Sequence, residues 1–342
     1  MSPTIELGLD TFGDVSRAPD GRLKPHDQVL RDVVEEAVLA DSLGIDFIGL
    51  GEHHRRDFAI SAPEIVLAAI AGQTRTIRLG TAVTVLSTDD PVRVFERFST
   101  LNAVSGGRAE AIIGRGSFTE SFGLFGFDLG NYEQLFEEKL DLFVRLLREP
   151  RVTWSGQTRA ALNDQQVFPR LGQPFTAWVG VGGSPESVVR CVVHDLPMML
   201  AIIGGDARRF RPHVDLYLRA CNEVGRAPRP LGVHSPGHVG DTDEAAREAL
   251  WPHYKALHDK IGAERGWPPM ARAQFEAEAD HGALYVGSPE TVARKIAATA
   301  RALGLGRFDL KYASGPMPHE ELMRSIELYG RRVIPMVRDL LA

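Results

Sequence analysis

Two histidines next to a carboxylate follow an early apolar run of the chain. Residues 52–57 read EHHRRD, directly after DFIGLG at 46–51. A histidine at such a position can exchange a proton near neutral pH or bind a metal. Successive residues of an extended segment point to opposite sides, and the spacing differs from the HExxH zinc motif, so both histidines cannot easily serve one metal. An acid–base role for one histidine and a purely structural pair remain the two interpretations.

A second set of residues is suited to binding an anion. Arg115 lies between Gly114 and Gly116 and follows the apolar run at 109–114. Glycines let the backbone come close to a flat ligand, and an arginine can pair with a phosphate. The spacing is equally compatible with an ion pair between Arg115 and a carboxylate on a helix.

The phrase GSPE occurs twice, and both copies are predicted to begin helices. GSPES at 183–187 directly follows a predicted strand, whereas GSPET at 287–291 lies late in the chain. Serine is a favoured N-cap, proline fits the first helical position, and glutamate suits the positive end of the helix dipole. A Gly-Gly-Ser turn that opens a helix can also bind an anion through its free N–H groups. The first copy is therefore open to both interpretations.

The elements that must position these residues alternate regularly along the chain. Short β-rich runs are followed by longer stretches with helical spacing, which gives eight β/α units. The predicted strands span 5–10, 46–51, 77–86, 109–114, 176–182, 197–203, 231–240 and 307–312. Eight units are the count of a TIM (β/α)8 barrel, an α/β fold whose ligands meet the carboxyl ends of the strands. A doubly wound sheet is the competing fold.

Two stretches interrupt this spacing without dividing the chain. Residues 150–175 are rich in turn formers, and 242–286 read as an inserted helical segment. We predict a single domain over 1–342, with 242–286 as an insertion or lid and a candidate substrate cover. The segment carries several large side chains, namely Trp251, His253, Tyr254 and Trp267.

Composition narrows the class of protein. The chain has 342 residues and a net charge of −6, which argues against a nucleic-acid or anionic-membrane partner. Cys191 and Cys221 lack metal-binding spacing, so we expect reduced thiols and no metal. Neither a signal peptide nor an apolar run of about 20 residues is evident, so we expect a cytoplasmic protein. The motifs of Rossmann dehydrogenases, P-loop enzymes and α/β-hydrolases are absent from the sequence.

Five segments in the same order resemble the luciferase-like monooxygenases, the flavin-dependent barrel enzymes that include bacterial luciferase. They are EHH at 52–54, GTAVTVLSTDDPVR at 80–93, LNAVSGGRAEAIIGRGS at 101–117, NYEQLFEEKLDLF at 131–143 and VGVGGSPESVVRCVVHDLPM at 179–198. Each segment alone is weakly specific, whereas the ordered set on matching strands is specific. The similarity covers residues 5–225 and returns at 284–341.

The resemblance implies the chemistry of a two-component monooxygenase. Such an enzyme binds reduced FMN that a separate NAD(P)H-dependent flavin reductase supplies, and we expect a homodimer. Oxygen would add at C4a of the flavin, and the resulting peroxyflavin would oxidise a small organic substrate. His53 matches the family's active-site histidine, which helps to form or protect that peroxyflavin.

The resemblance also implies which residues contact the flavin phosphate. Arg115, Ser184 and Ser187 match phosphate-binding positions, and Gly182 and Gly183 form the turn that precedes the two serines.

Other residues match positions close to the flavin ring. Gly114 takes the place of a reactive cysteine of luciferase. Thr81, Ala82 and Val83 are candidate cofactor-binding residues, and the Ala82–Val83 bond matches a non-prolyl cis peptide under the isoalloxazine.

Two positions depart from the family pattern or fall outside it. Glu133 stands where luciferase has a second phosphate-binding arginine, so phosphate binding must rely more on Arg115, on the helix start or on another residue. The second GSPE copy has no flavin match, so Ser288 and Thr291 are assigned to helix capping alone.

Two other functions of the same fold remain open. A deazaflavin-dependent oxidoreductase would transfer hydride without oxygen, and a flavin-binding relative of luciferase would not catalyse at all. The EHH segment resembles the flavin branch more closely, and the intact His53 favours an enzyme.

Overall fold

The centre of the molecule is a barrel of parallel strands. The computed structural model describes residues 5–116 and 118–342. Its strands are β1 (Glu6–Thr11), β2 (Phe47–Leu50), β3 (Arg78–Thr81), β4 (Thr84–Val85), β5 (Glu110–Gly114), β6 (Val152–Trp154), β7 (Leu162–Gln165), β8 (Thr176–Val181), β9 (Met198–Ala201), β10 (Leu231–Val239), β11 (Tyr285–Gly287) and β12 (Arg307–Lys311).

The order of the strands around the barrel is β3-β2-β1-β12-β10-β9-β8-β5-β4, and all pairings along this path are parallel. β3 and β4 are two parts of one interrupted strand. Counted as one, they give a barrel of eight strands. The amide of Leu79 in β3 donates to the carbonyl of Arg108, 2.9 Å away, next to β5. This contact brings the two ends of the sheet together. The predicted TIM barrel is confirmed, and the doubly wound alternative is wrong.

Helices surround the barrel and connect its strands. They are α1 (His26–Ser42), α2 (Pro63–Ala71), α3 (Pro91–Val104), α4 (Glu120–Phe125), α5 (Tyr132–Arg148), α6 (Pro185–Val193), α7 (Arg211–Glu223), α8 (Asp243–Arg265), α9 (Arg272–Asp280), α10 (Pro289–Leu303), α11 (His319–Leu328) and α12 (Ile334–Leu341). Among the described ranges, no helix combines the length and apolarity that crossing a bilayer requires.

The elements depart from a regular alternation of strands and helices in four places. The strand expected at 77–86 breaks after Thr81, resumes as β4 and ends in a 3-10 turn. A 3-10 turn precedes α7, and one π-helical turn joins α11 to α12. The excursion at 150–175 contains an antiparallel pair, β6 with β7.

The amino-terminal end of the barrel is filled by packed side chains. Phe47, Ile112, Trp178 and Met199 form a cluster inside it. The fully buried guanidinium of Arg307 lies 3.5 Å from the Phe47 ring centroid. It also pairs with two carboxylates, those of Asp309 and Glu110. Because the amino-terminal end is filled, the carboxyl ends of the strands are where the barrel can receive a ligand.

The 242–286 segment folds as α8 and α9 and reaches the loop that follows β2. Within the segment, the Phe275 ring packs against Trp251 and Tyr254, with ring centroids 5.2 and 5.9 Å apart. The carboxyl-terminal part of α8 ion-pairs with that loop, through Arg55 with Glu264 and Asp57 with Lys260. The segment therefore lies against the same end of the barrel as the EHHRRD sequence.

Candidate functional site

The structure brings the residues predicted for the site to one side of the barrel's open end. They lie after β2 (His53), at the end of β3 and in the break before β4 (Thr81, Ala82, Val83), at the end of β5 and directly after it (Gly114, Arg115), and after β8 (Gly182, Gly183, Ser184, Ser187). These strands are neighbours in the barrel, because β2 pairs with β3, β4 with β5 and β5 with β8.

Small residues surround the break between β3 and β4. The peptide bond between Ala82 and Val83 is cis, as the resemblance implied. A Cβ at Gly114 would lie 2.6 Å from Val83 Cγ2, and one at Gly180 would lie 3.2 Å from Val83 Cγ1. A Cβ at Gly49 would lie 2.9 Å from that of Ala82. Glycines on neighbouring strands thus make room for this segment, and they leave a surface of low relief at the open end.

Thr81 differs from its two neighbours. Its side chain is fully buried, and its hydroxyl donates to the Ile112 carbonyl at 3.4 Å and accepts from Thr84 at 3.0 Å. Ala82 and Val83 are partly exposed. The two residues that flank the cis bond are therefore available to a ligand, whereas Thr81 holds the strand in place.

His53 lies in an aromatic cluster at the mouth of the barrel. Its ring centroid is 4.7 Å from Phe12, 4.7 Å from Phe58 and 4.9 Å from Phe118. Its Nδ1 lies 3.5 Å from Oε1 of Glu120 at the start of α4. Burial acts to raise the pKa of Glu120, but the hydrogen bonds from His53 and from backbone amides outweigh it and lower the pKa. A charged carboxylate beside Nδ1 leaves Nε2 as the ring atom suited to exchange a proton.

His54 faces a different set of residues. Its Nε2 lies 2.8 Å from Oε1 of Glu52, and its ring packs edge-on against Phe125. The other carboxylate oxygen of Glu52 accepts the Val85 amide at 3.0 Å. His54 therefore supports β4 through Glu52, while His53 faces the aromatic cluster. The two histidines therefore have different partners, Glu120 for His53 and Glu52 for His54.

A second imidazole that the sequence analysis missed lies near this cluster. His234 on β10 places Nδ1 2.7 Å from Oδ2 of Asp10, which lies on β1. The Phe12 ring stacks on His234 with centroids 6.3 Å apart and contacts His53 as well. Strand periodicity could have indicated His234, because Gly232, two residues earlier, faces the barrel interior beside Trp178.

The first GSPE copy and Arg115 converge at the start of α6. Nη2 of Arg115 lies 3.5 Å from Oγ of Ser184 and 3.2 Å from Oγ of Ser187. The two hydroxyl oxygens are 2.8 Å apart, and Ser184 also accepts the Ser187 amide at 3.4 Å as an N-cap. Gly183 has a φ of +114°, which favours glycine, and its exposed neighbour Gly182 precedes the same turn. Two hydroxyls, a guanidinium and a helix amino terminus are groups that can bind an anion.

Arg190 completes this group, and the sequence analysis missed it. Its guanidinium is largely buried, and Nη1 donates to Oγ of Ser187 at 3.0 Å. Its Nη2 donates to Oε2 of Glu133 at 2.7 Å, and Arg115 binds the other oxygen of the same carboxylate. The ion pair between Arg115 and a helix carboxylate therefore exists alongside the contacts to the serines. The spacing of Arg190, three residues after Ser187 on one helix, is the signal that could have identified it.

The second GSPE copy has different neighbours. Ser288 caps α10 by accepting the Thr291 amide at 3.3 Å, as predicted. Asp243 accepts the Ser288 amide at 2.7 Å and the Thr291 hydroxyl at 3.0 Å. In the second copy a carboxylate therefore binds the first turn of the helix, where the first copy has the guanidiniums of two arginines.

Comparison with known sequences places these features in a family context. A family model described as luciferase-like monooxygenase matches residues 12–307. The uncharacterized protein y4vJ of Sinorhizobium fredii (strain NBRC 101917 / NGR234) is 33% identical, over 91% of this chain and 92% of its own length. The 4-hydroxyprotoasukamycin monooxygenase of Streptomyces nodosus subsp. asukaensis is 28% identical, over 88% of this chain and 85% of its own length.

Solved structures with the same fold include enzymes that use two kinds of cofactor. The oxygenating constituent of 3,6-diketocamphane monooxygenase from Pseudomonas putida, in complex with FMN, has a TM-score of 0.78 at 21% identity, covering 97% of this chain and 98% of that one. An F420-dependent secondary alcohol dehydrogenase has a TM-score of 0.76 at 17% identity, covering 98% and 100%. At these identities the likeness shows the fold alone.

Proposed function

The chain belongs to the luciferase-like monooxygenase family, and from that premise we propose that it uses reduced FMN and O2 to oxidise a small organic substrate. The observation that carries this proposal is the anion-binding group of Arg115, Arg190, Ser184 and Ser187, on the same barrel edge as the Ala82–Val83 surface. A phosphate and a flat ring, joined in one ligand, fit the two features.

The residues present fit an FMN cofactor by their chemistry. The guanidiniums of Arg115 and Arg190, with the hydroxyls of Ser184 and Ser187, would hold the phosphate through charge-assisted hydrogen bonds. Ala82 and Val83 would lie against the ring, with Gly114 leaving space for Val83. Reduced FMN, when bound, supplies the electrons that activate O2, and addition at C4a is the route that the resemblance implies.

His53 and its aromatic neighbours would control water and protons beside the flavin. Phe12, Phe58 and Phe118 cover the faces and edge of the His53 ring, which limits access of water. Glu120 holds the ring through Nδ1, so that Nε2 is the atom at which a proton would be held or moved.

We also propose that 242–286 covers the substrate, as the sequence suggested. The ion pairs Arg55–Glu264 and Asp57–Lys260 support this, because they join α8 to the loop that carries His53. Hydrogen exchange of the α8 amides should slow when flavin and substrate are bound together. An unchanged exchange rate in α8 would contradict a covering role.

The remaining expectations concern partners and location. A separate NAD(P)H-dependent flavin reductase would supply reduced FMN, and the protein would act as a homodimer in the cytoplasm. Sedimentation at micromolar concentration tests the dimer, and activity in a coupled assay with a purified flavin reductase tests the supply of FMN.

The experiment that tests the function compares two cofactors and then follows oxygen. Reduced FMN and reduced deazaflavin are titrated into the protein without oxygen, and tight binding of deazaflavin alone would contradict the proposal in favour of hydride transfer. Oxygen is then mixed with the FMN complex while flavin absorbance is followed. We expect His53→Ala to shorten the life of the oxygenated flavin by about ten-fold or more. An unchanged lifetime would show that His53 does not have the assigned role.

A further inference from the structure

Glu133 binds both arginines of the proposed phosphate site at once. Its Oε2 accepts from Nη2 of Arg190 at 2.7 Å, and its Oε1 accepts from Nη1 of Arg115. The Ser187 hydroxyl lies 3.0 Å from Arg190 and 3.2 Å from Arg115. One carboxylate therefore spans the same two guanidiniums that flank the serine hydroxyls.

The arginines are held more firmly than the carboxylate. Arg190 is 8% exposed and pairs through Nε with Glu137, while Arg115 is 22% exposed and lies 5.3 Å from the Tyr132 ring. The Glu133 side chain is 60% exposed. A carboxylate so open to solvent can leave the site by rotating its side chain, whereas the two guanidiniums stay in place.

A carboxylate and a phosphate compete for the same donors. Both are planar or tetrahedral groups of anionic oxygens that accept paired N–H bonds from a guanidinium. The donors of Arg115 and Arg190 that face Glu133 would otherwise be available to phosphate oxygens beside Ser187. The negative charge of Glu133 also repels an incoming phosphate at short range.

We propose that Glu133 is an internal competitor of the flavin phosphate and weakens FMN binding. The inference rests on the proposed function. Each FMN that binds displaces the carboxylate, and each that leaves is replaced by it. The consequence is a site from which oxidised FMN departs readily, as a protein that receives its reduced flavin from a reductase requires.

The alternative role for Glu133 is to position the two arginines for phosphate. The two roles predict opposite signs. Removing a competitor tightens FMN binding, whereas removing a positioning group weakens it.

The experiment compares Glu133→Gln with Glu137→Gln in the full-length protein. Glu137 is the matched control, because it lies on the same helix and pairs with Arg190 through Nε rather than through the donor that faces Glu133. Three probes are used: FMN and riboflavin, followed by quenching of flavin fluorescence, and inorganic phosphate, followed by the shift in melting temperature. The melting temperature without ligand shows whether each variant is folded.

We expect Glu133→Gln to tighten FMN binding by about ten-fold and to change riboflavin binding by less than about two-fold. Inorganic phosphate should raise the melting temperature of this variant more than that of the unchanged protein. Glu137→Gln should alter FMN affinity by less than about three-fold.

Other outcomes overturn the inference or the function separately. FMN affinity that falls or stays constant in Glu133→Gln, or riboflavin affinity that rises equally, would overturn the competition while leaving the cofactor assignment intact. Selective stabilisation of Glu133→Gln by phosphate in a protein that binds neither flavin would support the competition and contradict the proposed function.

Discussion

Two helices of this protein begin with the same residues, GSPE, yet their first turns face different groups. At α6, Ser184 and Ser187 lie within 3.5 Å of a guanidinium nitrogen of Arg115, and Arg190 reaches Ser187 from the next turn. At α10, the carboxylate of Asp243 binds the amide of Ser288 and the hydroxyl of Thr291. The shared sequence determines the cap, and the residues brought from elsewhere in the chain determine whether an anion can bind.

Removing Arg115 should have the largest effect on FMN affinity among the changes at the two helix starts. We expect Arg115→Ala to weaken FMN binding by about 100-fold, because the phosphate loses a charge-assisted pair, while riboflavin affinity is unchanged. Fluorescence titration measures both. The matched control is Arg332→Ala, which removes an arginine paired with Glu290 in the first turn of α10. Equal losses of FMN affinity in the two variants would show that the net charge of the protein, and not the contact at the start of α6, determines FMN binding.

Removing Asp243 should expose the purely structural role of the second copy. Burial acts to raise the pKa of Asp243, but hydrogen bonds from Ser288 and Thr291 outweigh it and lower the pKa. A carboxylate whose folded-state pKa is depressed contributes stability above pH 3.8, and this contribution is lost as the pH falls through the lower folded-state pKa. Asp243→Asn should therefore cost about 2 kcal/mol of unfolding free energy at pH 7.

The difference in stability between Asp243→Asn and the unchanged protein should shrink in acid, which denaturant titrations at several pH values would measure. Asp241→Asn, an exposed partner of Arg324, serves as the control. FMN affinity should not change in either variant. A gap that widens below pH 3.8 would contradict the sign of this argument.

Removing both hydroxyls of the first copy should weaken FMN binding by about ten-fold. Ser184→Ala with Ser187→Ala takes away two acceptors and donors beside Arg115 and also removes the N-cap of α6. Titration with FMN and riboflavin separates the phosphate contact from the loss of stability. If the affinities for FMN and riboflavin fall equally, the two serines stabilise the start of α6 and do not bind the phosphate.

The smallest effect is expected at the second cap. Ser288→Ala should lower the unfolding free energy by about 1 kcal/mol, because the Thr291 amide loses its side-chain acceptor. Denaturant unfolding measures the loss. FMN affinity should equal that of the unchanged protein, and a weaker affinity would mean that the two copies are functionally alike.

The fold could be predicted because its signals are local. Alternating β-rich and helical stretches gave eight units, and each serine–proline start was visible in the sequence. The strand pattern did not reveal the break after Thr81, since TAVTV reads as continuous β-strand and the break is packed against glycines of neighbouring strands. Only the family resemblance indicated the cis bond between Ala82 and Val83 at this place.

The site was only partly predictable, because only some of its residues are marked by local sequence signals. His53, Arg115, Ser184 and Ser187 follow strands directly, so topology places them at the open end. Contacts between distant residues could not be found this way, because no periodicity relates their positions. His234 lies 224 residues from its partner Asp10, and Arg190 lies 57 residues from its partner Glu133.

The packing of Val83 against Gly114 has a consequence for how this site can vary. Any side chain at position 114 would collide with Val83, whose Cγ2 lies 2.6 Å from where a Cβ would stand. The two positions are therefore coupled: a cysteine at position 114 would require a smaller residue, or a displaced one, at position 83. Gly114→Cys alone should be poorly tolerated, whereas the same change combined with Val83→Ala restores the space. Substitutions at these two positions are therefore expected to be tolerated only in pairs.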